Sequence, residues 1–402
     1  MRRITKFVRI ALAVALPAAM LAAPATAAQD KYEKSKNVTL LDDIQYVGGS
    51  ELAASGKYVY TGQLDGETNR GELNKNGGLH IIDVSGKKPK EVGFLHCPGN
   101  DNDVEVVKPG LVVMGFHQNL CVPQAGNGLM TIDVSNPRKP KILGSIMTGK
   151  NHTLKPIPGT NLVYTAGGGL TPHPNNGPAI VDVSNPAKPK IVGTPPKTLS
   201  TDCHDISFLM TKEKKLGFCA GAIGTGEVQI WDMTDPLAPT LISKIHNPAI
   251  QYSHYAVASS DGKYLAIDDE AFAAQDCNTG QSPHGRVWIY DISNPQVPIP
   301  AGSMAAPRGG DGTTNIGNYA GWVDSWCLSH GLDWLPGTHY LGVTWFTGGW
   351  SVLSLDQTAV PQEVAYFQAE DSATYSVLWH NGRLYTNDMH RGLDAFSIAK
   401  LK

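Results

Sequence analysis

The sequence predicts an all-β fold, a seven-bladed β-propeller closed by its N-terminal strand, and three observations predict it. One phrase recurs along the chain: strand residues, then Asp-Val-Ser-Asn-Pro or a variant, then a Pro that opens another strand. It is read at Leu129–Pro140 (LMTIDVSNPRKP), Ala179–Pro189, Val228–Pro239 and Val287–Pro298, and in shorter form at Leu79–Pro89. Worn forms stand at Ser351–Pro361 and Leu393–Ile398. The reference position is Asp83, Asp133, Asp182, Asp232, Asp291, Ser354 and Ser397, with steps of 50, 49, 50, 59, 63 and 43 residues. A period of that size marks a repeat architecture. Composition is the second observation: 43 Gly, 27 Pro and 17 % charged residues in 402 suit short strands and many turns. The third is that each repeat parses into four strands, a to d, with the recurring phrase as the c–d turn. Asn and Ser bond the local backbone there and Pro fixes φ at the corner. Four-stranded units repeated around an axis are propeller blades.

Taken in order, the chain opens with a secretory pattern. Arg2, Arg3, Lys6 and Arg9 precede the apolar run Ile10–Ala23 and the small residues Ala25-Thr26-Ala27, so residues 1–28 read as a cleaved signal peptide and 29–402 as one propeller domain. The run is too short to span a membrane comfortably and Pro17 interrupts it. Arg2-Arg3 leaves both the general and the twin-arginine export routes open. Without its four basic residues the chain carries 29 positive and 36 negative side chains, a net of −7. That balance argues against binding nucleic acid through bulk charge. Asp30–Lys36 reads as a loose polar stretch. Val38–Val47 reads as a strand without a partner of its own.

Seven a–b hairpins follow, near Ser50–Thr61, Asp103–Met114, His152–Thr165, His204–Ala220, His254–Ile267, His330–Thr344 and Tyr375–Thr386. The seventh unit stops after strand c, so Val38–Val47 is expected to supply its strand d and remove the open edge.

The phrases IIDVS, TIDVSNP, IVDVSNP and IYDISNP resemble the LVIVD-repeat family of secreted bacterial propellers. The resemblance covers nearly the whole mature chain and implies the fold; it implies no activity.

In a propeller, strand-a starts converge on the axis. Here four consecutive blades place His there: His152, His204, His254 and His330. The second blade has Asp103, the seventh Tyr375 and the first Ser50 or Glu51. Converging neutral imidazoles with an open position suit a reactive Cu, Fe or Zn centre. The plainer reading is a polar channel whose imidazoles bond through ordered water. The b–c loops add His117, His173, Asp268, Asp269, Glu270, Trp345, Asp388 and His390 on the same face. Of these, Asp269, Glu270 and Asp388, with Asp205, are candidates to orient the histidines, and Trp345 is a candidate pocket wall. Long loops at Gln63–Gly78, Gln118–Gly128, Gly167–Gly177, Ala271–Gly285 and Ala306–Trp326 also fall on that face.

Six Cys in an exported chain predict disulfides. The repeat register favours Cys97–Cys121, Cys203–Cys219 and Cys277–Cys327, with Cys203 alternatively a thiolate ligand beside His204. Two function classes stay open. One is a metal-dependent oxidoreductase, similar in architecture only to propellers that hold iron or copper through axial His, such as carotenoid-cleavage oxygenases. The other is a non-catalytic module binding a small-molecule or extracellular ligand on its loop-rich face.

Overall fold

Each recurring phrase folds as a turn locked by its own side chains. The reference Asp accepts the backbone N–H two residues on, at Asp83–Ser85, Asp133–Ser135, Asp182–Ser184, Asp232–Thr234 and Asp291–Ser293 (2.8–2.9 Å). Three residues past the reference, Asn136, Asn185, Asp235 and Asn294 repeat the device on Arg138, Ala187, Leu237 and Gln296. The N–H and hydroxyl bonds hold Asp133, Asp182, Asp232 and Asp291 below the usual carboxylate range. The Pro of the phrase then serves the neighbouring blade. Its carbonyl accepts a hydroxyl from the blade before it: Thr131 to Pro186, Tyr164 to Pro236 and Ser243 to Pro295 (2.5–2.6 Å). The phrase recurs because it closes a hairpin and staples two blades together.

The computed structural model describes residues 32–63, 77–100, 103–116, 118–119, 121–122, 128–149, 151–166, 178–196, 198–199, 203–221, 226–270, 285–308, 327–355 and 360–401. Among them every regular element is a strand, and seven antiparallel sheets form the blades. Their innermost strands are Gly49–Ser55, Asp103–Lys108, Thr153–Pro156, Asp205–Met210, Ser253–Ala258, Leu332–Trp334 and Thr374–His380. Each touches the innermost strand of both neighbouring blades, the seventh touching the first, so the ring is closed. Strands b and c are almost wholly buried. Strands d, such as Lys141–Met147 and Lys190–Gly193, carry the exposed outer edge.

Every junction between adjacent blades holds its own apolar cluster. Met114, Met130 and Ile132 meet Tyr60 and Ile81 between blades one and two. Phe218 and Ile230 meet Leu265 and Ile292 between blades four and five. Leu52, Val59 and Ile82 meet Tyr385 and Leu393 between blades one and seven. The core is thus a circle of interfaces, with the axis left to polar groups.

The closing strand is the predicted one, over Val38–Ile44. It pairs antiparallel with Gly392–Ile398, from Val38 opposite Ile398 to Ile44 opposite Leu393, and ends three residues before the expected Val47. The loose reading of Asp30–Lys36 is corrected over its described residues, 32–36. Tyr32–Lys34 is a fifth strand on blade six, paired with Gln362–Ala369. Backbone and side chains both hold it there: Ser35 N–H donates to Tyr366 O and the Ser35 hydroxyl accepts from Tyr366 N–H (3.1 Å each), and the Tyr32 ring lies 5.0 Å from that of Phe367. The first strand and the closing strand thus bind two different blades.

Disulfides join Cys97 to Cys121 and Cys203 to Cys219, as the register predicts. Cys203 is therefore no thiolate ligand. In the third expected pair, Cys277 lies outside the described residues, as do His117, His173 and residues 1–28, the stretch expected to be a signal peptide. Among the described residues no helix is long and apolar enough to cross a membrane.

Candidate metal centre on the propeller axis

Strand a begins where strand b ends, and backbone bonds fix that meeting point. The His152 N–H donates to Ala166 O, His204 to Ala220 O and His330 to Thr344 O (2.8–3.1 Å). All three histidines therefore stand at the end from which the b–c loops leave. His204, His254 and His330 are buried and His152 is half-buried.

The four rings form a continuous row. Successive centroids lie 4.4 Å (His152–His204), 4.2 Å (His204–His254) and 4.3 Å (His254–His330) apart. Aromatic rings wall the row: Tyr252 edge-on to His204 at 4.9 Å, Phe346 edge-on to His330 at 4.9 Å, and Tyr375 at 3.9 Å from His330. Phe346 takes a positive φ of 47° in the turn that carries it there, a conformation uncommon for a bulky residue.

The second ring nitrogens are spoken for. His204 Nδ1 donates to His254 O (3.1 Å) and His330 Nδ1 to Tyr375 O (2.9 Å), while His254 Nδ1 shares a hydrogen bond with Asp268 Oδ2 (3.1 Å). A neutral imidazole that donates from Nδ1 carries its lone pair on Nε2. Metal-binding histidines are held this way, with a carbonyl or carboxylate fixing tautomer and ring angle. Burial, then the neighbouring imidazoles of His204, His330 and His152, push His254 well below its ordinary pKa, toward the neutral form. Burial pushes Asp268 well above the usual carboxylate range.

Two overlapping sets of donor atoms result, each within a 4.8 Å spread: His152, His204 and His254, and His254, Glu270 and His330. His254 belongs to both. The row therefore does not gather all four imidazoles at one point, and it draws in a carboxylate. Glu270 Oε2 lies 3.7 Å from His254 Nε2, and Oε1 lies 3.8 Å from His330 Nε2.

The sequence Asp268-Asp269-Glu270 divides three tasks. Asp268 orients His254 and accepts the Tyr255 N–H. Asp269 accepts the N–H groups of Gln251, Tyr252 and Gly285 (2.9–3.0 Å), tying the interblade segment to the loop. Glu270, its own N–H bonded to Tyr252 O, faces the imidazoles. Asp268 was placed in this loop layer by sequence but was not among the expected orienting carboxylates. Strand alternation was the available signal, since residues of one strand point to opposite faces.

Other candidates stand elsewhere. Asp388 caps a local turn, accepting from Ala373 N, the Thr374 hydroxyl and His390 N. His390 Nδ1 donates to Asp371 O. Trp345 is packed in the junction between blades five and six, its indole N–H on the Ser351 hydroxyl. Asp103 and Asp205 line the channel beyond the row.

That channel holds a cavity of about 90 Å³, bounded by His254 and His330 on one side. Glu51, Asp103, Glu105, Asp205 and Asp333 line it around Lys155, which pairs with Glu105 and lies over the Tyr255 ring. Asp103 accepts the Leu154 N–H, and Asp333 the Trp379 N–H (2.6 Å each). Of this acidic lining Glu105 and Asp333 were missed, although both lie within four residues of a strand-a start. Burial raises Glu51 to about 8, Asp333 to about 7 and Asp205 to about 6.

A pH dependence follows. Between pH 6.5 and 8 an unfolded Glu or Asp is ionised, while folded Glu51 still holds its proton. Folding takes up protons, so stability falls as pH rises through that window. The lowered His254 acts the other way only below about pH 6.5, its unfolded value. The thermal midpoint of chelator-treated protein should fall from pH 6.5 to 8, with a shallower fall in Glu51→Gln. An equal slope in both proteins would contradict the assignment.

Comparison with known proteins agrees with this architecture. The LVIVD repeat family matches residues 119–148 and 174–194, the regions around the second and third phrases. Among curated protein sequences, none matches the chain. Solved structures share the fold. A functionally unknown protein from Desulfotomaculum acetoxidans is similar at 12 % identity and a TM-score of 0.54, over 79 % of this chain and 84 % of that one. The Cps50 (Swd1) β-propeller domain of Myceliophteria thermophila is similar at 10 % identity and 0.54, over 90 % and 100 %. Sqt1 of Saccharomyces cerevisiae is similar at 9 % and 0.52, over 88 % and 83 %. At these identities the likeness is one of fold.

Proposed function

We propose that this LVIVD-repeat propeller is exported, binds a Cu, Fe or Zn ion through its axial histidine row, and uses the ion as a reactive centre. With Cu or Fe, it is an oxidoreductase acting on a small molecule that reaches the loop-bearing face. The observation that carries the reading is the row itself. Four imidazoles stand in register on consecutive blades, and three have Nδ1 bonded to a carbonyl or carboxylate. Polar channels filled with water need no such uniform orientation of one nitrogen. The basic-apolar-small N-terminal pattern and the disulfides support export.

The donor chemistry fits a borderline transition ion: neutral imidazole with one carboxylate, and no thiolate. When bound, such an ion supplies Lewis acidity and, for Cu or Fe, electron transfer. The chain's own residues do the rest. Asp268 and the Tyr375 and His254 carbonyls hold the imidazoles, and Tyr252, Phe346 and Tyr375 limit water around them. Thermal denaturation tests the reading. An ion that binds only the folded state at a hundredfold excess over its Kd stabilises by about 2.7 kcal/mol. One of Cu, Fe or Zn should therefore raise the midpoint of chelator-stripped protein. No shift with any of the three would leave this face as a binding surface for an extracellular ligand.

A further inference from the structure

The two donor sets cannot be filled at once. His254 is common to both, and its Nδ1 is committed to Asp268. Only Nε2 is left to meet an ion, and one neutral imidazole nitrogen serves one ion. The question is which set takes it.

Charge favours the set containing Glu270. A dication moved into a site this enclosed loses hydration, and a formal negative charge among its donors offsets part of that loss. Three neutral imidazoles supply none. Geometry favours it too. Two donors about 2.1 Å from a common ion at a tetrahedral angle stand about 3.4 Å apart. The two imidazole Nε2 atoms lie 3.7 and 3.8 Å from the Glu270 oxygens, within a few tenths of that spacing and too far for direct hydrogen bonds. All three side chains are held from behind. Asp268 anchors His254, Tyr375 O anchors His330, and Glu270 follows a strand end pinned by its own N–H and by Asp269.

We infer that a single divalent ion binds between His254, His330 and Glu270, with Glu270 a direct ligand and the remaining coordination positions open to the axial cavity. This rests on the metal reading above and narrows it. Two imidazoles and one carboxylate suit Fe(II) or Zn(II) better than Cu(I). The cavity bounded by His254 and His330 has room for water or a small ligand at the open positions.

Cobalt(II) is a suitable probe, because its visible spectrum reports ligand type and number. The full exported chain, purified without a histidine tag and stripped with chelator, is titrated with Co(II) alone. The wild type should take up one equivalent. Glu270→Gln and His330→Ala should weaken binding at least about 100-fold, beyond the tenfold to 100-fold typical of outer partners. His152→Ala should weaken it less than about tenfold. Melting curves of the metal-free variants separate lost ligands from lost fold, and the two independent ligand variants guard against one failing to fold. Binding lost in His152→Ala but kept in Glu270→Gln would place the ion on the three-imidazole set and overturn this inference, leaving the metal reading intact. Two equivalents in the wild type would also overturn it. No binding in the wild type would overturn both.

Discussion

A chain that begins at Gly48 should fail to form a cooperative fold. Two strands are lost together, Tyr32–Lys34 from blade six and Val38–Ile44 from blade seven. The Gly392–Ile398 ladder is then left as an open edge. Val38 is fully buried between blades six and seven, and burying one such side chain contributes about 1.5–3 kcal/mol. Leu40 packs in the same junction, Leu41 and Ile44 in that between blades seven and one, and each adds part of that amount. Tyr46 goes too, with its ring stacked on His80 and its hydroxyl bonded to Asn387 at 2.7 Å. The sum approaches the whole stability of a typical domain, about 5–15 kcal/mol. Circular dichroism during heating should show no sharp transition. A synthetic peptide covering residues 32–47 should restore one in trans, since strand addition needs only a matching edge. A truncated protein melting like the full chain would contradict the closure.

His254→Ala should have the largest effect of any single change on metal affinity. The residue sits in both donor sets, so neither survives its loss. Affinity for Zn(II) should fall at least about 100-fold. The change also strips Asp268 of its imidazole partner in a fully buried position, which costs about 1–3 kcal/mol. The fold should persist, because the interblade clusters and the strand closure do not involve the row. Asp268→Asn should give a milder loss, about 10–100-fold, through ring orientation alone. Competition titration against a chromophoric chelator measures both. Wild-type affinity in His254→Ala would place any bound ion elsewhere in the protein.

Much of this molecule was written in the repeat phrase. Its Asp, Asn and Pro are visible as turn formers, and their spacing counts the blades. The Pro carbonyl's bond to the preceding blade was not readable, because a backbone acceptor leaves no mark in sequence. Tyr32–Lys34 was missed for the same reason: it is held by main-chain pairing at an edge, where side-chain pattern is weak. The histidines were legible because strand-a starts share a register. The participation of Glu270 was half-legible. It was placed near the site as a candidate partner, but the loop geometry that aims it between two imidazoles depends on Asp269 binding three N–H groups at once. The acidic channel was the plainest omission. Asp103, Asp205 and Glu51 were placed at strand-a starts, but Glu105 and Asp333 look like solvated strand carboxylates until the ring brings all five round one lysine.

The central claim is that the axial row binds a transition metal, and metal content measures it most directly. The full chain, purified without a histidine tag and passed once through buffer free of chelator, is analysed by inductively coupled plasma mass spectrometry. It should carry about one equivalent of Fe, Cu or Zn per chain, and a chelator-stripped sample should regain that equivalent on reconstitution. A fully folded protein that holds no transition metal, both as purified and after reconstitution with each of the three, would contradict the account.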